Sequence, residues 1–213
     1  TLQNTNAYWQ NEVGGSSVSR TSGDPASIYW GNVNWWEDQS GYKFDAVNPT
    51  VQFVLPPSPT ALKELGEFTH MNNPIGGSAI SSVELRLRTT LWVDSTNLGF
   101  KDFIFDFNHN ETPNTGGGCC NDIVTFASNN TSSTFNVGGV DYTLFLAGFS
   151  TDGGNTILNS FSSQEGGNRK AKLYGYITTA AAVPEPATWA MMIGGMGLVG
   201  LSMRRRPTKV SFA

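Results

Sequence analysis

The chain has 213 residues, a formal net charge of −4 at pH 7 and only 14% charged residues. An acidic, weakly charged chain argues against nucleic acid as a partner and against docking on anionic lipid. Its 24 glycines and abundant Asn, Ser and Thr are typical of secreted β proteins with short strands and polar turns. Residues 1–182 precede a C-terminal apolar segment, and that length suits one domain with its own core.

The first part of the chain, residues 1–27, is polar and glycine-rich, and Tyr8-Trp9 is its one bulky pair. We predict that it is a loose N-terminal lead-in or a weak first strand. Export requires a signal peptide and none opens the chain, so Thr1 is expected to follow a removed signal or a truncation.

A dense aromatic patch follows, formed by Trp30, Trp35, Trp36 and Tyr42. Exposed aromatic rings of this kind stack on sugar rings, whereas buried ones build a core in which each covers about 150–250 Å². Trp35 and Trp36 are adjacent, so a strand would turn them to opposite faces and leave one at the surface.

The middle of the chain alternates apolar and polar residues with the period of a half-buried strand. Residues 83–91 have apolar side chains on one face and Arg86 and Arg88 on the other, and residues 103–107 repeat the pattern with Asp102 and Asp106 opposite. If the two strands are neighbours, these aspartates face the arginines, and each such pair contributes about 0.2–1 kcal/mol.

The remaining apolar runs predict short strands between turn residues. They are residues 51–55, 65–70, 122–127, 157–161 and 172–178, with a hairpin at 134–149 around Gly138-Gly139. No window before the C-terminal segment has a convincing 3.6-residue period. The pattern predicts an all-β fold, a jelly-roll-like β-sandwich of roughly nine or ten strands.

Two polar clusters contain the two histidines of the chain. His70 and Asn72 are two residues apart on extended chain, so both point to one side. Either the two side chains jointly hold a ligand or a loop, or both form hydrogen bonds to the backbone in a buried corner. The second cluster has His109, Glu111 and Asp122, and the two carboxylates with nearby Asn side chains form a weak calcium candidate, since calcium takes six to eight oxygen ligands. A solvated acidic loop is the alternative. No cofactor or other metal is assigned.

The two cysteines, Cys119 and Cys120, are adjacent. A bridge between neighbours is strained, so a vicinal disulfide, an intermolecular disulfide and two free thiols all stay open. A zinc site built on them would need further Cys or His at fixed spacings, which the sequence lacks.

Short blocks between residues 29 and 178 follow one another in an order that is more specific than any single block. They contain Trp30, Gly31, Thr69, His70, Asn72, Pro74, Glu111, Thr112, Pro113, Asn114 and Asp122. In this order they resemble the choice-of-anchor K family, with its Thr-His-x-Asn signature. The resemblance implies a secreted β domain of unknown biochemical role displayed at the bacterial surface, in which these residues are structural or bind a ligand, and it supplies no catalytic residues to carry over.

The last segment, residues 183–213, has four parts in a fixed order. Pro184-Glu185-Pro186 comes first, an uncharged apolar run over 187–203 with Trp189 near its start follows, and Arg204-Arg205-Arg206 ends it. The run predicts a helix at the short limit for spanning a hydrocarbon core of about 30 Å. Arginine clusters stay in the cytoplasm, so the preceding residues lie outside it.

This order closely resembles the PEP-CTERM sorting signal of Gram-negative, polysaccharide-producing bacteria. The resemblance implies transient insertion in the inner membrane, cleavage by an exosortase near the Pro-Glu-Pro, and delivery of the ectodomain to the cell surface or extracellular matrix.

These features predict a non-catalytic matrix protein with a structural, self-assembling or adhesive role. Its expected partners are exosortase during export, then further copies of itself or exopolysaccharide, and residues 1–27 would add a strand to a neighbouring copy. The alternative is a carbohydrate-binding module that uses Trp35, Trp36 and Tyr42. A glycoside hydrolase with Glu111 and Asp122 as its carboxylate pair is the third hypothesis. A serine hydrolase is disfavoured because the sequence has no nucleophile elbow.

Overall fold

The described part of the chain consists of antiparallel strands in two sheets. The computed structural model describes residues 1–54, 59–112, 121–126 and 134–179. In spatial order, the first sheet contains β12 (Ser160–Ser163), β9 (Asp122–Phe126), β8 (Thr96–Asn110), β7 (Ile80–Val93), β1 (Leu2–Gly14) and β5 (Thr50–Val51). The second contains β10 (Phe135–Val137), β11 (Val140–Ser150), β13 (Gly167–Thr179), β6 (Lys63–Asn72), β4 (Ser40–Ala46), β3 (Ala26–Trp30) and β2 (Ser19–Thr21). The all-β, sandwich-like architecture is confirmed, and the jelly-roll subtype stays a prediction.

The core between the sheets is built largely from aromatic side chains. Phe68 of β6 and Phe107 of β8 stack across it with ring centroids 5.8 Å apart and planes at 5°. Phe149 of β11 lies 5.4 Å from Phe68, and all three rings are buried. Aromatic pairs at these separations add about 0.5–1.5 kcal/mol to the stability that burial itself provides.

The predicted alternation in β7 and β8 is present in the structure. The apolar residues of one face, such as Leu85 and Phe105, are fully buried. Arg88 lies opposite Asp102 and donates two hydrogen bonds of 2.9 Å to its carboxylate. The prediction for Asp106 is wrong, because the register places it opposite Glu84 instead.

The prediction that residues 1–27 form a loose lead-in is wrong, and the alternative of a first strand is correct. β1 pairs with β7 along its length and buries Leu2, Ala7 and Trp9. Asn4 and Asn11 have positive φ angles of 52° and 53°, and each lies at a shift in register. A β-bulge shifts the alternation by one residue, so the sequence does not show period two. Residues 2–14 are therefore committed to the first sheet, whereas Ser19–Thr21 forms β2 at the edge of the second sheet, and strand addition to a neighbouring copy stays a prediction.

The other predicted strands form with different ends. The hairpin is confirmed: Val137 pairs with Val140, and Gly138 and Gly139 have φ angles of 59° and 84°, as a type I′ turn requires. The strand expected at 51–55 is much shorter, because β5 ends at Val51 and residues 52–54 are not in a strand.

None of the described residues forms a helix long and apolar enough to cross a membrane. The predicted helix at 187–203 and the sorting segment 183–213 lie outside the described residues.

Candidate functional site

A polar cluster lies inside the core, where the two sheets face each other. We call it the His–carboxylate cluster, and its members are His70, His109, Glu111, Asp122 and Glu165. His70 comes from the second sheet, His109 and Asp122 come from the first sheet, and Glu111 and Glu165 lie in the loops that follow β8 and β12. The site is thus assembled from segments that are far apart in sequence.

Strand register explains how these side chains meet. Tyr42 of β4 lies directly opposite His70 of β6, and directly opposed residues of antiparallel strands share a face. Both are fully buried, with ring centroids 5.1 Å apart. In the first sheet, Asn110 pairs with Ile123, so the next residues along the two strands, Glu111 and Asp122, come side by side.

A chain of hydrogen bonds connects Tyr42, His109 and Glu111. The Tyr42 hydroxyl lies 2.5 Å from His109 Nδ1, and His109 Nε2 lies 3.0 Å from a Glu111 carboxylate oxygen. A carboxylate only accepts hydrogen bonds, so Nε2 carries the proton and donates it. In a neutral imidazole Nδ1 then accepts from the Tyr42 hydroxyl, and this tautomer satisfies both ring nitrogens.

His70 is fully buried, and neither of its ring nitrogens has a hydrogen-bond partner among the described residues. Burial, with a smaller contribution from His109, lowers the pKa of His70 to about 3, so the ring is neutral at physiological pH. An unsatisfied buried polar group costs about 1–3 kcal/mol. Such a group in a well-packed core calls for a partner outside the described chain, such as an ordered water or an ion.

Asn72, two residues after His70 on β6, is also fully buried. Its amide nitrogen donates a 3.0 Å hydrogen bond to the Ser163 carbonyl oxygen, while its own carbonyl oxygen has no partner in the described residues. Of the two alternatives left by the sequence, backbone bonding therefore applies to Asn72 and not to His70.

Three carboxylates converge beside the histidines, since oxygens of Glu111, Asp122 and Glu165 lie within 4.8 Å of one another. Burial raises the pKa of Asp122, and hydrogen bonds from the Thr112 amide and hydroxyl, 2.8 and 2.9 Å long, oppose that rise. Burial, and then the charges of Asp122 and Glu111, raise the pKa of Glu165. Asp122 is buried and the two glutamates are half-buried, and a group of like charges in such surroundings favours the binding of a cation or of protons.

No sequence pattern marks Glu165 as a member of the cluster. Glu165 lies in the cluster because β12 pairs with β9. This pairing places Ser163 opposite Asp122, and Glu165 follows Ser163 by two residues. Pro113, Asn114, Cys119 and Cys120 lie outside the described residues.

Of the remaining residues of the Thr-His-x-Asn resemblance, Trp30 borders the cluster. Trp30 stacks near His70 with centroids 6.4 Å apart, and its indole nitrogen has no partner in the described chain. Gly31 has a φ of 97°, and a Cβ there would lie 2.5 Å from the Ile75 side chain, which follows Pro74. Thr69 is buried in β6.

The aromatic patch divides into buried and exposed parts. Trp30 and Tyr42 are fully buried, because inner strands of the second sheet turn them into the core, so the prediction that Tyr42 stacks on sugar is wrong. Trp35 and Trp36 are 92% and 64% exposed. They lie in the loop between β3 and β4 and not on a strand, so both indoles reach solvent, with centroids 5.1 Å apart and planes at 88°.

The loop that carries these two tryptophans, residues 31–39, is called the Trp loop below. The Glu37 carboxylate accepts hydrogen bonds from the Asn34 amide and side chain, at 3.0 and 2.9 Å. The Gln39 side chain donates to the Gly31 carbonyl oxygen at 2.7 Å and closes the base of the loop. Glu37 also borders a cleft of about 570 Å³ whose other polar lining includes Asp38, Gln39, Asn73 and Asn168.

Comparison with known families finds a PEP-CTERM protein-sorting motif at residues 182–206. The match includes Pro184-Glu185-Pro186, Trp189 and Arg204-Arg205-Arg206, which confirms the prediction of a sorting signal. The motif indicates that the protein is exported, processed by exosortase, and located at the cell surface or outside the cell after cleavage. No curated protein matches the chain.

Proposed function

We propose that the exported domain is a non-catalytic surface module that binds extracellular polysaccharide through the Trp loop. The observation that carries the proposal is the exposure of Trp35 and Trp36 side by side. Large apolar rings in water are costly unless a partner covers them, and adjacent exposed aromatic rings mark a binding surface.

The chemistry of the Trp loop favours a sugar as that partner. The faces of sugar rings are apolar C–H surfaces that stack on indole, and their edges carry hydroxyls. The cleft beside Glu37 offers carboxylate and amide groups to such hydroxyls. Because the loop is held by its own hydrogen bonds, binding loses little conformational entropy.

The charge of the domain favours a neutral polysaccharide. Glu37 and Asp38 border the cleft, and the chain as a whole is acidic. A polyanion would be repelled by both. After exosortase cleavage, the Trp loop would retain the protein in the polysaccharide around the cell, which gives the matrix and adhesive roles a physical basis.

The positions of the acidic residues support a non-catalytic role. Asp122, one of the pair that a glycoside hydrolase would need, is fully buried between the sheets. A carboxylate buried in this way is not presented to a polymer chain, whereas the Trp loop is open to solvent.

The test is affinity electrophoresis of the full chain in gels that contain xylan, glucomannan or dextran, with alginate as the anionic comparison. We expect a neutral polymer to retard the protein, and Trp35→Ala and Trp36→Ala each to weaken binding at least about tenfold, as loss of a central aromatic anchor does. Phe100→Ala is the matched control, because Phe100 is 73% exposed on β8 in the other sheet.

Retardation that survives both tryptophan substitutions would contradict the proposal, as would an equal loss in Phe100→Ala. If no gel retards the protein and light scattering shows tryptophan-dependent polymers, the Trp loop is a self-assembly surface instead.

A further inference from the structure

We propose that His70, His109 and Asp122 bind one divalent transition-metal ion of the zinc type, which ties the two sheets of the sandwich together. The site is independent of the Trp loop and of sugar binding.

The first argument is the geometry of the three side chains. One ligand atom from each lies within 4.8 Å of the others. Two atoms bound to a common zinc ion at about 2.1 Å are at most about 4.2 Å apart, so small side-chain shifts bring all three into coordination. His109 Nε2 is already 3.9 Å from Asp122 Oδ2.

The second argument is the set of buried atoms that lack partners. Both ring nitrogens of His70 and the Oδ2 atom of Asp122 are buried and have no hydrogen-bond partner in the described chain. Both side chains are fully buried and belong to the same group of potential ligands. Since buried polar atoms are nearly always satisfied, a shared metal ion accounts for two of these atoms, because it gives a partner to Asp122 Oδ2 and to one of the two His70 nitrogens.

The third argument is the chemistry of the donors. Two imidazoles and a carboxylate suit zinc and its transition-metal neighbours, whereas calcium and magnesium prefer oxygen alone. The calcium candidate, Glu111 and Asp122, is therefore better described as the acidic side of a mixed nitrogen and oxygen site. The neighbouring Glu111 carboxylate is in place to take a fourth position, because it lies 3.0 Å from His109 Nε2.

The surrounding hydrogen bonds fit the orientation that a metal ligand needs. With Nε2 bound to the ion, the imidazole proton resides on Nδ1, which then donates to the Tyr42 oxygen 2.5 Å away. Asp122 Oδ1 is fixed by Thr112, which leaves Oδ2 for the ion. Such supporting partners are usual around metal-bound histidines and carboxylates.

Metal binding here would be structural. His70 belongs to β6 of one sheet, while His109 and Asp122 belong to β8 and β9 of the other. An ion held by all three cross-links the sandwich, and it stabilises the folded state because the unfolded chain does not hold the ligands together.

The experiment uses the full chain, stripped with a chelator and titrated with Zn²⁺ by calorimetry and thermal unfolding. We expect one ion per chain and a rise in Tm of about 5–10 °C at a concentration about 100 times Kd. Ca²⁺ and Mg²⁺ at the same concentrations should leave Tm unchanged. A stripped protein that takes up no Zn²⁺, or whose Tm does not rise, overturns the proposal without recourse to any variant.

Substitutions assign the ligands. His70→Gln and the isosteric Asp122→Asn should each weaken Zn²⁺ binding at least about 100-fold, with folding checked by near-UV circular dichroism. Glu67→Gln, which neutralises a surface carboxylate paired with Lys170, is the matched control and should bind normally. Cys119→Ser combined with Cys120→Ser should also bind normally. Loss of binding in the cysteine variant alone would place the ion elsewhere and overturn the proposal.

Discussion

At the scale of single residues, His70 is a candidate that the sequence singles out and that the structure places in an unusual environment. It is fully buried, and neither ring nitrogen has a hydrogen-bond partner among the described residues. Its spacing from Asn72 on an extended strand predicts that both side chains point to one side, and both are fully buried. The sequence does not predict which residues lie beside His70, because His109 and Asp122 belong to strands of the opposite sheet. Only the register of both sheets shows that the two histidines meet, with ring centroids 5.3 Å apart.

The neutrality of His70 leads to a pH prediction for the chelator-treated protein. The folded-state pKa of about 3 lies below the unfolded value near 6.5, so the unfolded chain takes up the proton first as pH falls. The contribution of His70 to stability is therefore complete above pH 6.5 and is lost progressively down to about pH 3. Burial shifts the pKa of Asp122 upward, which acts in the opposite direction, so a comparison with a variant is required.

The comparison is the free energy of unfolding at pH 7 and pH 5 for the chelated wild type and for His70→Gln. We expect the wild type to lose roughly 2 kcal/mol more than the variant over this interval. Equal losses in the two proteins would show that His70 titrates normally in the fold.

At the scale of secondary-structure elements, sequence periodicity predicts β7 and β8 well because their alternation is regular. The sequence predicts β1 only as an alternative to a loose lead-in, because bulges at Asn4 and Asn11 break the alternation and the exposed positions of β1 carry polar side chains. For the Trp loop, the sequence wrongly suggests a strand where the structure has a loop. Strand geometry predicts one exposed indole, but the loop backbone exposes both, and composition alone does not separate Trp30 and Tyr42 as core residues.

The structural role of β1 can be tested with two tryptophans. Trp9 is buried, packs on Tyr42 and Phe107, and donates a 3.3 Å hydrogen bond to the Ala26 carbonyl oxygen. We expect Trp9→Ala to lower the free energy of unfolding by about 3–5 kcal/mol in denaturant titrations. Trp36→Ala removes the same type of side chain from the exposed Trp loop and should change the free energy of unfolding by no more than about 0.5 kcal/mol. Similar effects of the two substitutions would mean that β1 is not part of the core.

At the scale of the whole molecule, the sorting motif is the best-predicted feature, because its parts are contiguous and are recognised by order alone. The choice-of-anchor K resemblance of the ectodomain stays a prediction. What the ectodomain binds depends on surfaces and pockets that only the fold assembles.

Processing at the motif leads to a prediction about the mass of the surface-located protein. We expect its C-terminus to lie near Pro184-Glu185-Pro186, so that Arg204-Arg205-Arg206 is absent. Substitution of Pro184 and Pro186 by Ala should block cleavage and leave the full-length mass, because the protease loses its recognition element. Pro207→Ala, beyond the matched residues 182–206, is the control and should be cleaved normally.

The most direct test of the proposed function is the fraction of mature protein that stays with the extracellular polysaccharide of producing cells after washing. We predict that the wild type is retained and that the double variant Trp35→Ala, Trp36→Ala appears in the wash with the same processed mass. Equal retention of both proteins would contradict the claim that the Trp loop holds this domain at the cell surface.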